Sequence, residues 1–318
     1  MSHDLREIAV YAPASVSNFG PGFDCFGLAL ERPGDTVSAR LADVPGVRVE
    51  SIEGLCDGIP LDSDRNTASV AAAAVWSSVE DPPAPGLILR IHKGVPPGSG
   101  LGSSGASAAA GAAVAGHLYQ ELTSRSIDDR VIFEAALDGE AVAAGTRHAD
   151  NVAPSLFGDF VIVRRGEPTQ FARFHPKLEC WIAVVKPDIS ISTREAREVL
   201  PETVPLSDAV TNWSNSATLV LGLLQGDAEL VKESLHDSIV EPRRAKLIPG
   251  FDDAREAALG AGALACGVSG SGPTLFALAT EESVAKAAAR SITKVFRVGG
   301  LDSWIEVSPI SPLGARRV

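Results

Sequence analysis

Apolar and polar side chains alternate, or apolar side chains form short runs between turn residues, at several places in the first half of the chain. A period of two is typical of β-strands. It predicts strands at residues 7–11, 36–41, 47–52, 87–92 and 160–164. A period near 3.6 predicts helices at residues 67–79, 103–120 and 128–144. Strands and helices are mixed without strict alternation, which predicts an α+β fold.

A polar segment that contains glycine and proline, RRGEPTQFARFHPK at residues 164–177, separates this half from a second apolar pattern. Because the chain has 318 residues, which suits about two domains, we predict one domain at 1–170 and another at 171–318. The second pattern predicts the remaining elements. They are a strand at 181–185, helices near 210–224 and 284–295, and the strand-loop-strand unit LACGVSGSGPTLFAL at 264–278.

Charge and cysteine content narrow the function classes. The chain has 40 acidic and 28 basic residues, a net charge of -12, which argues against a nucleic acid or an anionic membrane as partner. The N-terminus lacks a basic stretch followed by an apolar one, so we expect a cytoplasmic protein. The four cysteines stand singly, without zinc-ligand spacing, and are expected to be reduced. They are Cys25, Cys56, Cys180 and Cys266.

The stretch GVPPGSGLGSSGASAAAGAAVAG at residues 94–116 has no charged side chain. It holds too few large aliphatic residues for a membrane span. It follows a predicted strand and runs into a predicted helix, an arrangement in which glycine amides and the helix N-terminus bind anions. Glycines in or near a helix each cost about 1 kcal/mol relative to alanine, so the glycines from Gly105 to Gly116 are there for another reason.

Three interpretations compete for this stretch. Gly100, Gly102 and Gly105 match the dinucleotide pattern G-x-G-x-x-G, but the segment GVPPGS intervenes between strand and loop, which the Rossmann turn does not allow. No G-K-[ST] sequence occurs, which excludes a Walker A loop. The third interpretation is a helix of small residues that lets neighbouring elements pack closely.

Further polar residues stand where a predicted helix is apolar. Phe133, Leu137, Glu140 and Ala144 share one face of the helix at 128–144, so Glu140 lies on an apolar stripe. A carboxylate there is either a structural ion pair or a magnesium ligand. The segment GTRHADNVAP at 145–154 follows at once, and its density of polar residues is typical of a site loop.

Three ordered motifs resemble those of the GHMP small-molecule kinases. They are PPGSGLGSSGAS at 96–107, the phosphate loop, APASVSNFGPGFDCFGLAL at 12–30, and GVSGSGPTLFAL at 267–278. The resemblance implies a ribosomal-protein-like α/β domain followed by a ferredoxin-like α+β domain, with ATP and Mg2+ bound at the loop. The segments HADNVAP, ISTREAREVLP and EPRRAKLIPGF are most similar to the family members that phosphorylate L-homoserine.

That closer resemblance implies transfer of phosphate from ATP to L-homoserine, giving O-phospho-L-homoserine on the way to threonine. Two alternatives stay open, a GHMP kinase for a different small alcohol and a non-catalytic GHMP-like binding protein. The expected partners are the small substrate and a second copy in a homodimer, with no nucleic acid or membrane. The sequence alone does not reveal the oligomeric state.

The resemblance also implies site residues. Magnesium and phosphate ligands are Ser104 and Glu140. The nucleotide site comprises Asn66, Pro97, Gly98, Ser99, Gly100, Leu101, Gly102, Ser103 and Ser104. The amino-acid pocket comprises Asn18, Asp24, Asn151, Arg197 and Arg244, with His148 beside them. The implied catalytic set is Asn18, Ser104, Glu140 and Asn151, acting by positioning without a dedicated base.

The chemistry of these side chains agrees with the implied roles. Arginine matches a carboxylate, aspartate matches an ammonium group, and an amide orients a hydroxyl. Either Asp150 or Asn151 faces the acceptor hydroxyl, and we favour Asn151.

Overall fold

The computed structural model describes residues 7–166 and 168–318 of the chain. The strands within these ranges are β1 Ile8–Ser17, β2 Phe26–Ala42, β3 Gly46–Gly54, β4 Gly86–Lys93, β5 Phe160–Arg164, β6 Gln170–Phe174, β7 Trp181–Pro187, β8 Ala265–Val268, β9 Leu275–Ala279, β10 Ser303–Pro309 and β11 Arg316–Arg317. The α-helices are α1 Thr67–Ser78, α2 Ser103–Thr123, α3 Asp129–Ala144, α4 Ala149–Phe157, α5 Thr193–Glu198, α6 Leu206–Gln225, α7 Ala228–Ser234, α8 Glu241–Arg244, α9 Phe251–Gly260 and α10 Glu282–Val298. A short 3-10 helix, Ala245–Leu247, follows α8.

The described strands form two sheets, which confirms the α+β prediction. The larger sheet has the order β11-β1-β2-β4-β3, with β5 and β6 extending from β2. The smaller sheet is fully antiparallel and has the order β10-β7-β9-β8. Along the chain, helices lie between β7 and β8, and α10 lies between β9 and β10. This is the ferredoxin-like arrangement that the resemblance implies.

The polar segment at 164–177 is not a simple linker. Its second half forms β6, and the β5–β6 hairpin pairs Phe160 with Phe174 in the larger sheet. The division predicted between residues 170 and 171 therefore falls at the start of β6. By strand pairing, the chain passes from one sheet to the other between Phe174 and Trp181.

Helix α2 explains why small residues are concentrated in one stretch. It packs against both α1 and α3, and its residues from Gly105 to Ala115 are buried. A Cβ atom at Gly111 would overlap the carbonyl oxygen of Ala68 in α1. The close-packing interpretation is therefore correct for the body of this helix. No helix within the described residues has the length and apolarity of a membrane span.

Replacing Gly111 with alanine is expected to destabilise the protein by about 1–3 kcal/mol, the usual range for overpacking. The steric overlap with α1 outweighs the gain of about 1 kcal/mol in helix propensity. Gly116→Ala is the matched control, because its Cβ would lie 2.7 Å from Cδ1 of Ile132, the movable end of a side chain. Chemical denaturation of both variants measures the difference. Equal or greater stability of Gly111→Ala would show that α1 and α2 separate at no cost.

Candidate active site

A cavity of about 470 Å3 opens above the N-terminus of α2 and is lined by residues from both parts of the chain. Its wall is formed by the phosphate loop, the C-terminal part of α3, the start of α4, and residues of α5 and α8. All of the site residues predicted from the sequence line it except Leu101. The structure therefore brings the predicted nucleotide and amino-acid pockets into one space.

The glycines of the phosphate loop adopt backbone conformations that other residues rarely adopt. Gly98, Gly100 and Gly102 have φ angles of 61°, 80° and 65°, in the left-handed region. A Cβ at Gly102 would overlap the hydroxyl oxygen of Ser15, and one at Gly100 would overlap the carbonyl oxygen of Ser269. The loop needs glycine at these two positions for both its conformation and its packing.

The first turn of α2 leaves backbone amides open to a ligand. The first intrahelical hydrogen bond runs from the amide of Ala106 to the carbonyl of Gly102, at 2.8 Å. The amides of Ser103, Ser104 and Gly105 precede it, as expected for a helix N-terminus. Among the described residues, no side chain caps this end of the helix. An anion that binds here completes the helix and meets the positive end of its dipole.

The serines of the loop differ in what their hydroxyl groups do. The hydroxyl of Ser103 donates to the carbonyl oxygen of Val95 at 2.9 Å, and that of Ser99 accepts from the amide of Leu101 at 3.2 Å. The hydroxyl of Ser104 makes no hydrogen bond to another described residue and faces the cavity. Ser104 is therefore the hydroxyl that is free to bind a ligand.

Leu101, which the resemblance places in the nucleotide site, does not line the cavity with the other loop residues. Its side chain is fully buried in the apolar cluster beneath the loop, and its amide is used by Ser99. The carbonyl oxygen of Leu101 accepts from the amide of Ser15 at 3.1 Å. Leu101 therefore anchors the loop to β1 through this hydrogen bond and to the apolar cluster through its side chain.

The C-terminal glycine motif braces the phosphate loop. The hydroxyl of Ser269 donates to the carbonyl of Gly100 at 2.8 Å, and the amide of Thr274 donates to the carbonyl of Ser99 at 3.2 Å. The amide of Gly270 donates to the carbonyl of Ser17 at 3.0 Å. Segments that are distant in sequence therefore fix the shape of the loop.

A buried charge network below the loop was missed in the sequence analysis. Lys93 forms an ion pair with Asp35, and it donates to the carbonyl of Ser103 at 2.9 Å and to the hydroxyl of Ser107 at 2.8 Å. Asp35 accepts from the amides of Gly94 and Val95 at 3.0 and 3.1 Å. Every partner belongs to the loop or to the first turns of α2, so the network holds the two together.

A signal for this network was present in the sequence. Lys93 continues the alternation of Leu87, Leu89 and Ile91, so it belongs to the buried face of β4. A buried lysine requires a partner of opposite charge.

Glu140 is 3% exposed and has one oxygen satisfied and one not. Its Oε1 lies 3.3 Å from Nδ1 of His148, whereas Oε2 is buried and has no hydrogen-bond partner among the described residues. A buried carboxylate oxygen without a partner is costly. A hard cation removes that cost, and one carboxylate with one hydroxyl and phosphate oxygens suits Mg2+. Glu140 and Ser104 therefore fit the predicted metal site.

Within the described residues, no group of three or more histidine, cysteine, aspartate or glutamate side chains is arranged to hold a metal. A magnesium ion that takes most of its ligands from phosphates and water does not require such a group.

The part of the cavity lined by Asp24 and Arg197 is built around an ion pair. Nη2 of Arg197 lies 2.9 Å from Oδ1 of Asp24. Nη1 and Nη2 of the guanidinium together contact both oxygens of this carboxylate. Arg165, at the end of β5, also contacts this carboxylate. Asn18 accepts from the amide of Asp24 at 2.8 Å, and both residues have positive φ angles, 57° and 54°. The turn of residues 18–24 thus presents Asp24 to the cavity.

Phe23 organises the two predicted arginines and was missed in the sequence analysis. The guanidinium carbons of Arg197 and Arg244 lie 5.3 and 5.1 Å from the centre of its ring, within the range of a cation–π contact. Arg244 is buried and donates to the carbonyls of Gly270 at 2.6 Å and Ala196 at 3.3 Å. Burial, with the nearby charge of Arg197, lowers the pKa of Arg244 to about 10. This arginine links α5, α8 and the glycine motif.

His148 connects the two halves of the cavity. Its Nδ1 faces Glu140, and its Nε2 lies 3.4 Å from Nη2 of Arg197 and 3.1 Å from the hydroxyl of Thr146. Burial alone would lower its pKa, but the hydrogen bond and negative charge of Glu140 raise it above the usual value. His148 therefore links the carboxylate of Glu140 to the guanidinium of Arg197.

Asp150 and Asn151 both reach the cavity but have different surroundings. The side-chain oxygen of Asn151 accepts from Ser15 at 3.0 Å and lies against the glycines of the phosphate loop. Asp150 is buried, and this burial together with the charge of Asp24 raises its pKa to about 6. Asn151 thus lies beside the phosphate loop, and Asp150 is electrostatically coupled to Asp24.

Asn66 has a local structural task as well as a place in the cavity wall. It caps α1 by accepting from the amide of Ser69 at 3.2 Å, and it donates to the carbonyl of Pro60 at 3.0 Å. The side-chain oxygen and the side-chain NH2 group of Asn66 therefore each hold one partner within the fold, which fixes this residue in the cavity wall.

Comparison with protein families and known proteins gives a consistent result. The family model of the GHMP kinases N terminal domain matches residues 66–159, and that of the GHMP kinases C terminal matches residues 219–298. A homoserine kinase of Xylella fastidiosa (strain 9a5c) is 42% identical over 318 residues, which is 99% of this chain and 94% of the relative. A homoserine kinase of Pyrococcus abyssi is 43% identical over 270 residues, 85% of this chain and 86% of the relative.

Solved structures agree with these sequence relationships. The crystal structure of homoserine kinase from Cytophaga hutchinsonii has a TM-score of 0.91 and 39% identity, and the match covers 98% of this chain and 97% of the other. A mevalonate kinase from L. major in complex with R-mevalonate has a TM-score of 0.70 at 17% identity, covering 94% and 95% of the two chains. The latter shows similarity of fold alone.

Proposed function

The chain belongs to the homoserine kinase family of the GHMP kinases, and on that premise we propose that its cavity holds ATP on the phosphate loop and L-homoserine between Asp24 and Arg197. It phosphorylates homoserine with ATP, a reaction of threonine biosynthesis. The predicted family, fold class and activity are thus confirmed. The roles of individual residues are our proposal. It rests on one observation. A single cavity contains the open amides of α2, the Glu140 oxygen that lacks a partner among the described residues, and the Asp24–Arg197 pair.

The phosphate loop and the start of α2 bind the triphosphate in this proposal. The amides of Ser103, Ser104 and Gly105 donate to phosphate oxygens, and the Lys93–Asp35 network keeps those amides aimed at the ligand. Glu140 and the hydroxyl of Ser104 would hold a magnesium ion. When bound, this ion neutralises charge on the phosphates.

The ammonium and carboxylate groups of homoserine insert between Asp24 and Arg197 and replace their ion pair. Its carboxylate binds the Arg197 guanidinium, and its ammonium group binds the carboxylate of Asp24. Each charge of the substrate then replaces the partner that its protein group has in the free cavity. This exchange favours a ligand that carries both charges. A ligand with only an ammonium group leaves Arg197 without a carboxylate, and one with only a carboxylate leaves Asp24 with Arg165 as its cationic partner in place of the pair with Arg197.

The hydroxyl of homoserine is then directed toward the loop, where the amide of Asn151 orients it. Phosphoryl transfer has a largely dissociative transition state, so positioning matters more than activation by a strong base. His148 would fix the position of homoserine relative to ATP, because it contacts both Glu140 and Arg197.

A coupled assay of ADP release tests the proposal on the full-length protein. We expect ADP formation with homoserine, and at most a few per cent of that rate with mevalonate, galactose or no acceptor. Turnover of another alcohol at a similar rate would favour the second candidate, a GHMP kinase of different specificity. The absence of turnover with every acceptor would leave the non-catalytic binding protein.

Asp150→Asn is expected to stabilise the folded protein at pH 7.5 by about 3 kcal/mol. Burial and the charge of Asp24 raise the pKa of Asp150 from 3.8 to about 6, and a shift of that size corresponds to this free energy. The folded wild-type protein binds a proton more tightly than the unfolded chain, so its stability falls as the pH rises from about 4 to 6. The Asp150→Asn variant does not lose stability in this way, because asparagine does not ionise.

Denaturant titrations at pH 4.5 and 7.5 measure the effect, and the gain should be larger at pH 7.5. The Asp138→Asn variant is the control. Asp138 is partly exposed, and surface ion pairs such as Asp138–Arg147 contribute about 0–1 kcal/mol. A wild-type protein as stable as Asp150→Asn at pH 7.5 would contradict the raised pKa.

We also propose that the protein works in the cytoplasm as a homodimer. The four cysteines are free, which agrees with a reducing compartment. The homodimer has support in the surface of one helix, described below.

A further inference from the structure

Within the described part of the chain, helix α6 packs against other elements along one side. Its buried side chains are Asn212, Leu219 and Leu223, and Gly222 lies among them. Asn212 donates to Asp237 at 2.7 Å, and the hydroxyl of Ser216 donates to the carbonyl of Pro21 at 3.2 Å. This side supports α8 and the turn that carries Asp24.

The opposite side of α6 is apolar and exposed. Trp213 is 64% exposed and Leu206 71%, values that are unusual for large apolar side chains arranged in a row. The stripe consists of Leu206, Val210, Trp213, Ala217, Leu221 and Leu224, all of them exposed. Their spacing places them on one face of the helix. We call this face the α6 stripe.

We propose that the α6 stripe is the twofold interface of a homodimer, in which α6 pairs with α6 of a second copy in antiparallel orientation. The intervals from Val210 to Leu224 are three, four, four and three residues, the same read from either end. An antiparallel pair centred on Ala217 therefore places Trp213 opposite Leu221 of the second copy. A stripe that matches itself under a twofold rotation is what an isologous interface requires.

Charge favours a second copy over other partners. Asp208 is the only ionisable residue in α6, and it lies on the side away from the stripe. The chain carries a net charge of -12, so two copies repel each other wherever charged surfaces meet. A long face without charge avoids this repulsion, and the antiparallel orientation also pairs the helix dipoles favourably.

The dimensions are those of an interface core. A helix of 20 residues is about 30 Å long and about 10 Å wide, so the stripe covers about 300 Å2 in each copy. Standard interfaces bury about 800 Å2 per partner, with an apolar core inside a polar rim. The uncharged exposed residues beside the stripe, Ser207, Ser214 and Gln225, form part of that rim. The small side chain of Ala217 at the centre lets the two helices approach closely.

Sedimentation equilibrium of the full-length protein tests the interface, and a particle of twice the 33.0 kDa chain mass is expected. Ala217→Glu places two carboxylates at the twofold axis and should weaken dimerisation at least a hundredfold. Thr211→Glu, at an exposed position outside the stripe, is the matched control and should leave the dimer unchanged. Circular dichroism verifies that both variants fold.

Ala217→Cys gives a second, independent measurement. Two residues on a twofold axis between closely packed helices come within disulfide distance, so oxidised glutathione should link this variant into a covalent dimer. Wild type and Thr211→Cys should not be linked. The inference rests on the homodimer proposed above: a monomeric wild type refutes both. A dimer unaffected by Ala217→Glu, or one linked equally well through Thr211→Cys, refutes only the α6 stripe, and kinase activity is judged separately by the ADP assay.

Discussion

Glu140→Gln is expected to lower kcat by at least a hundredfold while the protein stays folded. Glutamine keeps the size of the side chain but removes the negative charge that we propose holds magnesium against the triphosphate. Loss of one charge-stabilising group at a transition state typically costs a factor of about 100 to 1000 in turnover. The buried oxygen of Glu140 that has no partner among the described residues is the structural reason to expect so large an effect.

Steady-state kinetics over a range of Mg2+ concentrations measures this loss, and the dependence on Mg2+ should move to higher concentrations. Glu134→Gln is the matched control, since Glu134 lies on the same helix but is partly exposed and pairs with Arg147. A folded Glu140→Gln protein that keeps near wild-type turnover at low Mg2+ would refute the metal assignment. The carboxylate would then be a structural partner of His148.

The same variant has a readout that does not depend on activity. The hydrogen bond and charge of Glu140 raise the pKa of His148 against the effect of burial. Without that charge the pKa of His148 should fall below its value in the wild-type protein. An NMR titration of the histidine resonances measures this fall directly.

Arg197→Ala is expected to raise the KM for homoserine and to leave the KM for ATP nearly unchanged. The variant leaves the substrate carboxylate without its proposed guanidinium partner, at a cost of about 2–5 kcal/mol. That free energy corresponds to a factor of about 30 to several thousand in binding. Arg197→Lys should restore only part of the affinity, because an ammonium group cannot reproduce the two-point contact of a guanidinium.

A homoserine analogue with a neutral amide in place of the carboxylate completes this test. Wild-type enzyme should discriminate strongly against the amide, and Arg197→Ala should discriminate much less. Arg194→Ala is the matched control, since Arg194 lies on the same short helix but is highly exposed and pairs with Glu198. Equal discrimination by wild type and Arg197→Ala would place Arg197 outside the acceptor pocket.

The elements that the sequence predicted best are those with a strong local pattern. The period of two at residues 160–164 matches β5 in full, and the three helices predicted in the first half correspond to α1, α2 and α3. The pattern did not reveal the start of β2 at Phe26, because that part of the strand is buried throughout and shows no alternation. It also missed α4, because the density of polar residues in the segment 145–154 predicts a site loop there.

The sequence by itself determined the chemistry available to this protein: a glycine-rich loop ahead of a helix, an acidic residue on an apolar face, and arginines in the two late motifs. Only the tertiary structure decided which of these groups meet. Asp24 pairs with Arg197 across 173 positions of sequence, and Ser15 contacts Asn151 across 136. Local periodicity cannot encode such pairs, because they depend on how the two sheets and their connecting helices pack. The order of residues along the chain thus fixed the functional groups, while long-range packing fixed their distances, their burial and their pKa values.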